Sequence, residues 1–86
     1  MKVTNMTSKN GNKIANQFII ETEDAIYFQS YDTIIAKKTD GKLILDEDKW
    51  DYSRTTAKYR NMFTGLTTDE TKERIKSGTI ELANLN

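Results

Sequence analysis

Histidine and cysteine are both absent from the chain, and that absence limits the chemistry it can attempt. Without imidazole or thiolate, proton transfer near neutral pH falls to a tuned carboxylate, lysine or tyrosine. Zinc loses its usual nitrogen and sulfur ligands. The densest acidic run is Asp46-Glu47-Asp48-Lys49-Trp50-Asp51. In a magnesium-dependent phosphodiesterase, Asp32 and Glu47 would hold the metal and Lys49 would offset charge developing on the phosphate. An acid-x-Lys triplet recurs by chance in a chain that is 30% charged, and this one falls in a predicted loop. A calcium loop starting at Asp46 needs glycine at its sixth position, where Asp51 stands. A solvated turn accounts for the run better than either site. The chain therefore reads as non-enzymatic, with no catalytic residue, no metal ligand set and no cofactor.

Two aromatic stretches remain. Ile26-Tyr27-Phe28-Gln29-Ser30-Tyr31 has the composition of a strand, with Lys37 and Lys38 on the next one. Tyr27 and Tyr31 could stack bases as single-strand binders do. Such binders add a positive groove, which a chain of thirteen cations and thirteen anions does not obviously supply. The plainer expectation puts Phe28 in the core and both tyrosines on a half-covered face, their hydroxyls in water.

The stretch from Trp50 to Asn61 is more unusual. It holds Trp50, Tyr52, Arg54, Lys58, Tyr59 and Arg60 within one predicted helix and its entry loop. Tryptophan, tyrosine and arginine are the side chains that most often anchor protein–protein contacts. The plain alternative assigns Trp50, Tyr59, Met62 and Phe63 to a small core and leaves Arg54, Lys58 and Arg60 as a solvated face. Arg54 and Lys58 stand four apart, and no acid shares their face to pair them. The expected partner-binding set is therefore Trp50, Tyr52, Arg54, Lys58, Tyr59 and Arg60. The competing expectation is weak, salt-sensitive binding of single-stranded nucleic acid through Tyr27, Tyr31, Arg54, Lys58 and Arg60.

The elements that must position these residues change period halfway along the chain. Val3 to Met6 alternates, then Lys9-Asn10-Gly11-Asn12 turns. Ile14, Asn16, Phe18 and Ile20 recur at period two, which predicts a strand with a buried even face. Glu21 to Asp24 breaks it, Ala25 to Tyr31 is a third strand, and Thr33 to Lys38 a fourth. Asp40-Gly41 marks a two-residue hairpin into a fifth strand over Lys42 to Asp46. Ser53 is a suitable N-cap for a helix carrying Tyr59, Met62, Phe63 and Leu66 at helical spacing, closed by Gly65. Thr67-Thr68-Asp69-Glu70 matches a capping box for a second helix through Lys76, stopped by Ser77-Gly78. Thr79 to Leu82 alternates again as a last strand. The predicted class is α+β: an antiparallel meander of about five to six strands with two short helices on one face.

Residues 1–86 make a single small domain. Its apolar surface is scarce enough that a homodimer is as natural as a monomer. Charge is uneven: residues 1–51 carry seven lysines against nine acids, residues 52–86 six cations against four. No apolar stretch has the length of a signal peptide or a membrane span, and the lack of cysteine suits a reducing cytoplasm.

A resemblance covers the chain from about Phe18 onward. It is carried by Tyr27-Phe28-Gln29-Ser30-Tyr31 with Ile34-Ile35-Ala36, by Leu45-Asp46 and by Trp50-Asp51-Tyr52-Ser53. It continues through Thr55-Thr56-x-Lys58-Tyr59-Arg60-Asn61-x-Phe63, Gly65, Thr71, Ile75-Lys76-x-Gly78 and Leu85-Asn86. In these residues the chain resembles a family of small uncharacterised proteins encoded by bacteriophages and mobile elements of low-GC Gram-positive bacteria. The resemblance implies an accessory protein working in the host cytoplasm. Its partner would be a host protein such as a defence nuclease or effector complex, inhibited in the manner of an anti-CRISPR protein.

Overall fold

A computed structural model describes residues 1–86. Five strands are laid down in chain order: β1 (Lys2–Thr7), β2 (Lys13–Glu21), β3 (Ile26–Ser30), β4 (Thr33–Thr39) and β5 (Lys42–Asp46). Each is antiparallel to the one before. Short polar links force this arrangement, because only antiparallel neighbours can be joined by a tight reversal. Asp40 and Gly41 both adopt positive φ, 50° and 74°, as a two-residue turn matched to strand twist requires. The first hairpin closes around Gly11, whose N–H donates to the Ser8 carbonyl at 2.9 Å.

The chain then leaves the sheet through helices α1 (Arg54–Thr64) and α2 (Thr68–Lys76) and returns as β6 (Glu81–Ala83). This last strand pairs parallel with β5, as a strand following a long crossover can. The sheet order is β1-β2-β3-β4-β5-β6. The predicted α+β meander with two helices is what forms, with one parallel edge strand added.

Both helix starts follow their capping chemistry. Ser53 Oγ accepts from the Thr56 N–H at 3.1 Å. Thr67 and Glu70 make the reciprocal capping box. Gly65, at φ 76°, ends α1 in the left-handed conformation that glycine tolerates best. α1 has no basic residue in its last turn. Lys38 of β4 takes that role, its Nζ donating to the Phe63 carbonyl at 2.7 Å and lying 4.4 Å from the Phe63 ring centre. A cation there satisfies an orphan carbonyl and the negative end of the helix dipole.

Core packing joins one face of the sheet to both helices. Phe28, Ile35, Ala36 and Leu45 are buried with Met6, Phe63 and Ile80; Trp50, Tyr59, Leu66 and Ile75 pack against them. The Phe28 and Phe63 rings stack 5.9 Å apart. The opposite sheet face carries no helix. Its central row runs Val3, Ile20, Tyr27, Lys37, Ile44 and Glu81 across all six strands.

The expectation of one buried even face on β2 fails. Asn16 takes φ 63°, and the β1–β2 register slips between Asn5 and Thr7. Beyond this irregularity the parity flips. Gln17 and Ile19 pair with Ser30 and Phe28 on the helix side, and Phe18 and Ile20 turn to the open face. A bulge inserts residues and re-aims every side chain after it, which a period-two count cannot register.

Candidate functional site

α1 divides the predicted contact residues between two stripes. Thr56, Arg60 and Phe63 fall on its buried side. Arg54, Lys58 and Met62, spaced four apart, form the exposed one. Arg60 is 0% exposed, which removes it from the solvated face expected for it. Its Nη1 donates to the Trp50 carbonyl at 2.6 Å and to Asp51 Oδ1 at 3.2 Å. Nη2 donates to Asn61 Oδ1 at 3.0 Å and Thr68 Oγ1 at 2.9 Å. The guanidinium also lies over the Trp50 ring, 5.1 Å from its centre. A desolvated cation needs such partners; the two arms of the fork find four, while the buried Nε has none. Arg60 ties the entry loop, α1 and the start of α2 together, so its work is architectural.

Trp50 is half-buried beneath that cation and packs on the core. Tyr52 is 47% exposed, with Lys49 Nζ 5.4 Å from its ring centre. Tyr59 is half-buried, one edge on the core, with Lys58 Nζ 5.3 Å from its ring centre. Met62, which helical spacing had assigned to the core, is 47% exposed. The single ion pair of the structure is Arg60–Asp51, so Arg54 and Lys58 carry free charge. From Tyr52 to Thr68 the chain has no acid at all.

Between this stripe and the β1–β2 hairpin runs a groove of about 370 Å³. Ile14, Tyr59 and Met62 form its apolar floor, and Lys9 and Lys58 line it with no acid among them. Lys9 and Ile14 escaped the sequence reading because only the fold brings the hairpin beside α1. Met62 was within reach, since it continues the Arg54–Lys58 spacing.

The nucleic-acid set is not brought together. Tyr27 lies on the open sheet face, with Lys37 Nζ 5.5 Å from its ring centre. Arg54 and Lys58 belong to a helix on the other side of the sheet. Tyr31 is not in a strand: it sits at φ 56° in the β3–β4 reversal and is 55% exposed.

The acidic run forms a polar pit of about 250 Å³, lined by Asp32, Asp46, Asp48, Lys49 and two asparagines. Glu47 is not among them; its N–H extends the sheet by donating to the Ala83 carbonyl at 2.9 Å. Asp46, 3% exposed, has its oxygens filled. Oδ2 accepts from the Asp48 and Lys49 N–H groups, Oδ1 from the Leu85 N–H and Asn86 Nδ2. Burial pushes its pKa upward, but the Leu85, Asn86, Asp48 and Lys49 hydrogen bonds together outweigh it and hold the carboxyl below its ordinary value. A carboxylate so engaged anchors backbone. No group of three or more acidic side chains is arranged to hold a metal, and no helix is long and apolar enough to cross a membrane.

No curated protein and no solved structure matches the chain significantly. One family model does match, over residues 1–79. The chain belongs to that family, described as a family of unknown function (DUF8033).

Proposed function

We propose that this protein is a non-enzymatic accessory module that acts by binding a host protein stoichiometrically through the exposed side of α1. Arg54, Lys58, Tyr59 and Met62 supply the contacts, and Tyr52 extends them toward the helix entrance. The observation that carries the reading is the acid-free, half-apolar stripe. Two cations without ion-pair partners precede a half-buried tyrosine and an exposed methionine along the stripe, the mixture of apolar anchor and cationic rim found at protein-binding surfaces. The resemblance to phage and mobile-element proteins adds the biological setting, in which inhibition of a host defence complex is the fitting outcome.

The test is a tagged pull-down from nuclease-treated host lysate, with Arg54→Ala/Lys58→Ala beside the wild type. The expected result is one stoichiometric protein partner, lost in the double variant. A partner retained at equal yield would remove α1 from the interface. Material that comes down only when the nuclease treatment is omitted would favour the nucleic-acid alternative.

A further inference from the structure

We infer that the groove between α1 and the β1–β2 hairpin takes an acidic peptide segment that inserts an apolar side chain. The inference rests on the α1-binding reading and specifies the partner's chemistry.

The floor of Ile14, Tyr59 and Met62 is apolar, and its volume of about 370 Å³ accommodates one or two side chains of leucine or phenylalanine size. Tyr59 and Ile14 are fixed by packing against the core. Met62 stands 47% exposed. An unbranched thioether adapts its shape to what it covers, so the groove has two rigid walls and one adjustable one.

Charge then chooses among apolar occupants. Lys9 from the hairpin and Lys58 from the helix are the two ionic groups lining the groove. Arg54 stands one helical turn from Lys58 on the same stripe, and none of the three has an acid within ion-pair distance. A segment with Asp or Glu flanking its apolar anchor meets attraction from both sides, whereas a basic segment meets repulsion from both. Complementary rim charges act on choice of partner and on association rate more than on affinity itself.

The probes are two capped twelve-residue peptides. One carries Leu and Phe at helical i, i+4 spacing among glutamates; its twin has lysine for every glutamate. Each is titrated into the ¹⁵N-labelled full chain. The glutamate peptide is expected to shift the amides of Lys9, Ile14, Lys58, Tyr59 and Met62. Its affinity is expected to be about tenfold above that of the lysine twin, the equivalent of roughly 1.4 kcal/mol, and to fall with added salt. Lys9→Glu/Lys58→Glu, with an otherwise unchanged spectrum, should invert the preference. Met62→Ala should weaken the glutamate peptide without changing its salt dependence.

Equal affinities for the two peptides would overturn the inference. So would shifts confined to the open sheet face, or no shift at millimolar peptide. Groove shifts that track protein concentration without peptide would place a second copy there and overturn it too. The pull-down stands apart: a host partner lost in Arg54→Ala/Lys58→Ala but indifferent to Lys9→Glu would leave the α1 reading intact and sink the groove alone.

Discussion

On one side of α1 the guanidinium of Arg60 is closed off from solvent by Trp50, Asp51, Asn61 and Thr68. On the other, Arg54 and Lys58 stand in water with no acid in reach. The three cations lie within seven residues of one helix, yet their physical situations are opposite. For a desolvated charge, hydrogen-bond partners are a condition of folding. For an exposed charge on an acid-free face, the missing partner has to come from outside or from solvent. Basic character therefore carries little functional information until the stripe is known. Arg60, grouped by sequence with Arg54 and Lys58 as a contact residue, is the one committed to holding the fold.

The sharpest way to break this contrast is Arg60→Ala. It strips the Arg60 donors from the Trp50 carbonyl and from Asp51, leaves Thr68 Oγ1 only its Asn61 Nδ2 donor and opens a cavity over the Trp50 ring. A loss of about 2–4 kcal/mol is expected, read as a lower urea midpoint with an unchanged slope. Arg60→Lys should recover only part of it, since a point ammonium cannot span partners reached by both arms of the fork. A midpoint within error of wild type would return Arg60 to the surface set.

What was legible in the sequence follows from how local each signal is. The hairpin at Asp40-Gly41, the N-cap at Ser53, the capping box at Thr67 and Glu70 and the stop at Gly65 are each specified within about four residues, and each is where the sequence places it. The parity of β2 was lost because Asn16, a residue type that tolerates positive φ, stands inside an otherwise regular alternation that gives no further sign of a bulge. The burial of Arg60 was half legible. Its spacing of four after Thr56 and three before Phe63 sets it on the apolar stripe, but its acceptors at Trp50 and Thr68 come from the loop before α1 and the helix after it. Lys38 capping α1 from β4 is a wholly tertiary relation. The candidate groove is tertiary as well, since its two lysines are far apart in the chain.

Asp46 extends the contrast to a buried anion and should give the middle-sized effect. Its Oδ2 accepts from N–H donors of the turn after β5 and its Oδ1 from donors of the segment after β6. Asp46→Asn sets an amide NH₂ against donors, a cost of about 1–3 kcal/mol. The pH signature is separate. Because the folded carboxyl titrates below its unfolded value of 3.8, its contribution is fully present above that value. It is lost as pH falls from there through the lower folded pKa. Urea midpoints measured downward from pH 5 should fall in wild type and fall less steeply in Asp46→Asn. Parallel profiles would mean that the hydrogen bonds to Asp46 do not favour its ionised form.

The smallest expected change in stability belongs to Arg54→Ala/Lys58→Ala, and its smallness is what gives the other side of the comparison meaning. Neither side chain makes a hydrogen bond to the protein or joins the ion pair, and alanine is the better helix former. Arg54, in the first turn at the positive end of α1, is unfavourable to it. The double variant should therefore match or slightly exceed wild type in urea midpoint, within about 0.5 kcal/mol. Fold stability and partner binding would then separate cleanly along the two stripes of one helix. A double variant destabilised by as much as Arg60→Ala would collapse the distinction, because Arg54 and Lys58 would then be serving the fold and could no longer be read as charge held ready for a partner.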